Sequence, residues 1–227
     1  METRARWFRS PQLDAGVLKT LAAEIARHPF SAQSERGFIQ TEVRAKSIAG
    51  RFVQRVTGEQ VFRDAFGGAV KMPFVTFEST SFRLSSVAPQ IELLDAPRSA
   101  RRMFQFLGEL GSMSLAVDVI EVDPVAWIEA LVPTFGAATV RELGCRDLTI
   151  SPSLAADMTF TGSGDVLASS RKFLGAKFQS VKFARAEFAN GNRPLEIQFH
   201  ATASIKTFTE VSPGALNSIR DALRTLV

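Results

Sequence analysis

The stretch from Leu195 to Lys206 constrains the fold of this chain more than any other. Leu195, Ile197, Phe199, Ala201, Ala203 and Ile205 alternate without interruption against Glu196, Gln198, His200, Thr202, Ser204 and Lys206. Period-two patterning of this kind is the pattern of a strand with one face on a core and the other toward water or a partner. Taken as one strand it would span about 40 Å at roughly 3.3 Å per residue, well beyond the usual length. A half-buried strand of that length predicts a broad antiparallel sheet, because parallel strands are covered on both faces and read as unbroken apolar runs.

The segment before it supplies a partner. Asn190-Gly191 is a strong hairpin signal, since a type I′ turn takes positive φ at both central residues. A tight turn there sets Ala186 opposite Leu195, Ala184 opposite Ile197 and Arg185 opposite Glu196. A four-residue loop, Asn190 to Arg193, would instead put Glu187 opposite Glu196. Like charges directly across a ladder repel, so the tight turn is favoured unless the two carboxylates share a metal or a proton.

Helices are announced by spacing and caps. Leu13, Val17, Leu21 and Ile25 fall at helical intervals behind Asp14 and ahead of Pro29. Asp95-Ala-Pro97 predicts a helix with the apolar stripe Ala100, Met103, Phe104, Leu107 and Leu110, ended by Gly111. Asp123-Pro124 and Ser212-Pro213 each pair a cap with a first-turn proline, the first opening a short helix closed by Pro133. Gly162-Ser-Gly164 leads into a helix containing Val166, Leu167 and Leu174.

Further strands are expected at Ile39 to Ser47, with Gln40, Glu42, Arg44 and Lys46 on a polar side, and over Ser114 to Val122, Val140 to Ile150 and Met158 to Phe160. Gly50 suggests a bulge or bend. Phe52 to Val56 and Val61 to Phe62 read as a short hairpin across Thr57-Gly58-Glu59-Gln60, Gly67-Gly68 as a break, and Phe74 to Phe77, Ser81 to Leu84 and Ile91 to Leu94 as short strands.

Antiparallel strands with amphipathic helices on one face make an α+β fold. Residues 1–12, basic and aromatic, are expected to form a loosely ordered tail, and 13–227 a single domain. Residues 82–122 and 148–188 both read strand, break, helix ending in Phe-Leu-Gly, strand, an echo compatible with an internal duplication.

Composition enters where partners and setting are concerned. With 45% hydrophobic and 22% charged residues the chain is an ordinary globular one. Its pI of 9.6 looks like a nucleic-acid signal, yet the net charge is only +4, and with no Tyr, one Cys and two His little titrates below lysine to hold the pI down. Local clustering is the better guide. A lone Cys145 excludes an internal disulfide and a cysteine-based zinc site, which points to a reducing cytoplasm. No apolar run approaches the ~18 residues that would span a bilayer, and no secretory signal is apparent, so no membrane association is expected.

Arg98, Arg101 and Arg102 crowd the start of one helix, where the dipole favours acids. They form a candidate anion site for phosphate or a partner's carboxylates. A looser basic patch runs through Arg141, Arg146, Arg171, Lys172, Lys177 and Lys182, without aromatic residues placed to stack bases. The catalytic inventory is thin: His28 reads as a helix C-cap, His200 as a strand-face residue, and Cys145 as a buried thiol despite Arg146 beside it. Glu196 and Gln198 with Asp165 fall short of a metal-nuclease pattern because glutamine stands where lysine is expected, and Gly162-Ser-Gly164 lacks the lysine of a phosphate loop. No cofactor, metal or catalytic residue is assigned.

These observations favour a non-catalytic binding or assembly protein that offers a polar sheet face, Arg44, Lys46, Glu196, Gln198, His200 and Lys206, to a protein partner or a second copy of itself. The alternatives are a nucleic-acid or other polyanion binder working through the three arginines, and a carrier of an apolar ligand, suggested by 19 Phe.

Overall fold

The computed structural model describes residues 2–63, 65–96, 100–111, 115–151, 154–175, 180–191 and 193–227. Among them lie five helices and eleven strands, and the strands pair antiparallel, which makes the fold α+β as the patterning predicts. The chain divides into two compact units, one of Met1–Arg9 with Val117–Val227 and the other of Ser10–Ala116.

The continuous unit opens with α1, Ala15–Arg27, where the Asp14 carboxylate accepts the Val17 N–H at 2.8 Å and Leu18, Leu21 and Ile25 are buried. Strands β2 (Arg36–Arg44), β3 (Ser47–Arg63), β4 (Ala69–Ser85) and β5 (Ile91–Leu94) follow, then α2 (Arg101–Leu110). The polar strand expected up to Ser47 ends earlier. Arg44 pairs with Ser47 across a turn that contains Lys46, and Gln40 at φ 53° marks a register shift between Ile39 and Glu42. An inserted residue flips the face of everything after it, so simple alternation misreads this segment. Gly50, expected at a bulge or bend, pairs regularly with Phe82 of β4 but lies opposite the bulged Gln40 and Thr41 of β2.

The hairpin expected across Thr57 to Gln60 is absent, because β3 runs straight through those residues and pairs with β4 without a break from Ser47↔Ser85 to Arg63↔Ala69. Gly58 lies opposite Phe74, and a Cβ on it would come within 2.7 Å of that ring. A ring laid over a cross-strand glycine seals the gap that the glycine leaves, so the residue that reads as a turn serves as a seat. α2 begins at Arg101, behind Ala100 with no side-chain cap, and buries Met103, Phe106 and Leu107. Phe106 replaces Phe104 and Leu110 of the expected stripe because Phe38, Phe52 and Phe82 converge on the core there; Phe38 stacks on it at 5.6 Å and 14°.

The second unit is built from β1 (Arg4–Arg9), β6 (Asp118–Val119), α3 (Pro124–Phe135), β7 (Ala138–Ser151), β8 (Leu154–Thr161), α4 (Val166–Leu174), β9 (Val181–Phe188), β10 (Leu195–His200), β11 (Ser204–Thr207) and α5 (Pro213–Arg224). Its strands lie in the order β6-β1-β11-β10-β9-β7-β8. The expected tail is thus a strand: Arg4 pairs with Lys206 and Arg6 with Ser204, while Ala5 and Trp7 point inward and are fully buried. One indole outweighs the basic composition that suggested disorder. Trp127 of α3 stands edge-on to Trp7 at 5.6 Å and to Phe199 at 5.1 Å, and its Nε1–H donates to the Ile219 carbonyl of α5 at 3.1 Å.

Leu195 to Lys206 does not form one long strand. The chain reverses at Ala201 to Ala203, so that β10 and β11 form a hairpin with Phe199 opposite Ile205 and His200 opposite Ser204. Ala203 takes φ 44° without a glycine. A three-residue reversal keeps even-numbered residues opposite even-numbered ones, so the alternation continues in phase through the turn and hides it.

The register of β9 on β10 also differs from the favoured one: Glu196 faces Glu187, Ile197 faces Ala186, and residues 189–194 form the connection. Of the apolar run Ser114 to Val122, only Asp118–Val119 is strand among the described residues, although Ile120 and Val122 are buried. Pro133 lies inside α3, which ends at Gly136. Within 82–122 the described elements are the end of β4, then β5, α2 and β6; within 148–188 they are the end of β7, then β8, α4 and β9.

Candidate functional site

Two surfaces stand out, one in each unit. The first is the face of the β1-β11-β10-β9-β7 sheet turned away from Trp127 and α3. Four residues expected on a polar face, Glu196, Gln198, His200 and Lys206, are brought together here, with Gln198 opposite Lys206 on one side and Arg185 on the other. Arg44 and Lys46 lie at the β2–β3 turn of the other unit.

The like-charged pair Glu187 and Glu196 is accommodated by two arginines. Arg185 donates from Nε to Glu196 at 2.7 Å and from its terminal nitrogen to Glu142 at 3.4 Å, and Arg141 Nε donates to Glu187 at 3.1 Å. Neither a metal nor a shared proton is needed, since each carboxylate has its own cation. The Phe208 ring lies beneath both the Arg185 guanidinium, at 4.7 Å, and the Lys206 ammonium, at 4.6 Å. Lys206 Nζ donates to Glu2 at 2.6 Å, and that contact, with Arg4 nearby, holds the Glu2 carboxyl below its usual range. Much of this face is therefore internally paired.

His200 is half-buried beside the Phe183 ring, 5.9 Å away. Burial, with Arg6 and Lys182 adding their repulsion, lowers its pKa from 6.5. The unfolded chain then takes up a proton that the folded one resists, so the stability His200 contributes is present above its ordinary pKa and is lost as pH falls below it. Melting temperatures of wild type and His200→Gln, compared between about pH 7 and pH 5, should show the smaller acid-side decline in the variant. Equal declines would remove His200 as a cause.

The remaining candidates are placed as follows. Arg98 lies outside the described residues, while Arg101 and Arg102 are exposed in the first turn of α2. Asp165 caps α4 by accepting the Leu167 N–H, and His28 caps α1 with Nδ1 2.8 Å from the Glu24 carbonyl. The Cys145 thiol is buried, which pushes its pKa up. Among the described residues no three of His, Cys, Asp and Glu gather as they would around a metal ion, and no helix is long and apolar enough to cross a membrane.

The second surface was not legible from short-range pattern. From Val56 on β3 and up to its partner Thr76 on β4 the two strands form a ribbon joined by no other strand among the described residues, running about 25 Å beyond the sheet. Cross-strand partners share a face, so Val56, Phe62, Val70, Met72 and Phe74 line one side with no charged residue from Val56 onward, while Arg55, Glu59, Lys71 and Arg63 lie on the other together with the exposed Val61, Val75 and Phe77, and there Lys71 pairs with Glu59 at 3.4 Å. On the apolar side Phe62, Val70, Met72 and Phe74 are 43 to 59% exposed. The signal that could have found the ribbon is the match in length between two alternating segments flanking Gly67-Gly68. Compared with models of known protein families and with curated proteins, the sequence matches none.

Proposed function

We propose that this is a non-catalytic binding or assembly protein, and that it docks onto a protein partner through the apolar face of the β3–β4 ribbon. The observation that carries the reading is the row Phe62, Val70, Met72 and Phe74, uncovered and uncharged, on a two-stranded ribbon that water alone supports poorly. Those side chains present roughly 400 Å² of exposed apolar surface, a size at which such patches mark interaction sites. That is about half of what one side of a standard interface buries, so the partner that fits is a groove closing over the ribbon's edges as well as its face. Pro73 and the charges of the opposite side discourage indiscriminate strand pairing. The sheet face of the other unit supports the reading less well, since many of its charges already neutralise one another. A reducing cytoplasmic setting belongs to the same proposal, supported by the single buried thiol.

Lys71 makes the idea testable in place. Amine-reactive crosslinking in native extract should join peptides containing Lys71 to one recurrent protein, a second copy or another chain, and the joined peptide identifies which. Met72→Glu and Val70→Glu should abolish that product without lowering the melting temperature. Persistence of the same product in both folded variants, or no product from Lys71, would overturn the ribbon as the docking element.

A further inference from the structure

Beside the Lys206 and Glu2 contact, β1, β6 and the β10–β11 hairpin line a half-open cleft of about 440 Å³. Arg4, Arg6 and Lys206 line it together with the hydroxyl-bearing Thr202 and Ser204, the His200 ring, and Phe8, Val119 and Ile205. Among the described lining residues there are three cations and no carboxylate. The register sets Arg4 directly opposite Lys206, an unfavourable pairing of like charges unless an anion lies between them. Glu2 fills that role from the side, with its carboxylate 2.6 Å from Lys206 Nζ and 3.6 Å from Arg4. The chain's own carboxylate therefore demonstrates what these cations hold. Arg6, one step further along the same face and opposite Ser204, extends the positive wall.

The other wall is apolar: Phe8 is half-buried and Val119 57% exposed, paired with each other across β1 and β6. A cleft of this volume is in the range of small-molecule sites, which combine apolar walls with a few convergent polar groups.

We propose that this cleft binds a small organic anion, with its phosphate or carboxylate head on Arg4, Arg6 and Lys206 and its apolar part against Phe8 and Val119. Guanidinium groups take either head in a bidentate fork, and the Thr202 and Ser204 hydroxyls can donate to the remaining oxygens. This site is independent of the ribbon and requires no partner protein.

The test uses the full chain with phenyl phosphate, benzoate and inorganic phosphate, followed by calorimetry and by the ring proton signals of its two histidines. Phenyl phosphate or benzoate should bind saturably and shift the His200 signal while leaving His28 in place, and the tighter of the two identifies the head group. Inorganic phosphate should bind more weakly than phenyl phosphate because it lacks the part that meets Phe8 and Val119. Arg6→Gln and Lys206→Gln should each weaken binding roughly tenfold or more, the loss of one charge-assisted contact. Glu2→Gln should strengthen it by removing the resident competitor. Melting temperatures confirm that each variant is folded. The proposal is overturned if neither organic anion shifts His200, if inorganic phosphate binds as tightly as phenyl phosphate, or if folded Arg6→Gln and Lys206→Gln bind like wild type.

Discussion

Replacing Trp127 by alanine is expected to remove about 3–5 kcal/mol of folding stability, as large-to-small changes of buried aromatic residues do. The side chain is fully buried and touches Trp7 on one side and Phe199 on the other, both with no exposed surface of their own. Its loss would open a void bounded by two more rings that cannot all turn inward to fill it. The change also removes the indole N–H that donates to the Ile219 carbonyl of α5, a hydrogen bond made in addition to that carbonyl's place in the helix. Against a total of about 5–15 kcal/mol for a typical domain, such a loss brings the protein near unfolding at physiological temperature. Denaturant unfolding reads it directly. Trp127→Phe should recover most of the packing and lose only about 1–2 kcal/mol, the share of the hydrogen bond. If alanine costs less than about 1 kcal/mol, the indole is not the centre of this core.

Gly136→Ala should be comparably damaging for a different reason. Gly136 closes α3 at φ 85° and ψ −173°, a region that side chains other than glycine's hydrogen rarely enter. Holding a substituted residue there costs on the order of 1–3 kcal/mol. The added Cβ would also stand 2.8 Å from the Ala189 carbonyl oxygen, a backbone atom that cannot swing aside. Ala189 is itself held by its N–H to the Ala137 carbonyl at 2.9 Å, so relief must come from moving the start of β7 or the end of β9. Strain and clash together predict a loss of about 3 kcal/mol or more. Gly164→Ala serves as the comparison, because open space surrounds that position, and it should change stability by about 0.5 kcal/mol or less. Similar losses at the two positions would show that neither the dihedral nor the Ala189 carbonyl matters.

What the sequence discloses about this fold depends on how local the cause is. Asp14, Asp123, Asp165 and Ser212 each cap a helix through a backbone N–H two or three residues away, and the caps at Asp14, Asp123 and Ser212 are read from the residues themselves, while Asp165 is not. Reversals without turn chemistry are hidden. Ala201-Thr202-Ala203 contains neither glycine, proline nor asparagine, yet the chain doubles back there. The converse error occurs at Gly58, where a glycine that suggests a turn lies in mid-strand because a ring from β4 needs the room. Electrostatic rules mislead in the same way when they are applied pairwise. Glu187 opposite Glu196 looks forbidden until Arg141, forty-six positions from Glu187 along the chain, is seen beside it. Of the candidate surfaces, the residues of β10 and β11 were legible because they lie on one alternating segment. Arg4 and Arg6 were not, because the strand that carries them meets β11 from the opposite end of the sequence.

That pairing sets an order of events during synthesis. β1 leaves the ribosome first, but its partner β11 is made some two hundred residues later, and the β6 dipeptide it also meets follows only after the whole of Ser10–Ala116. The intervening unit holds its own strands and helices in one uninterrupted stretch and can fold while Trp7 still has no socket. Contacts so distant in sequence form slowly, since the entropy of closing the loop is lost before any contact repays it. The indole of Trp7 is therefore a latent sticky end throughout translation, the group a chaperone would be expected to shield, and it becomes a core residue only when the last strand of the sheet arrives.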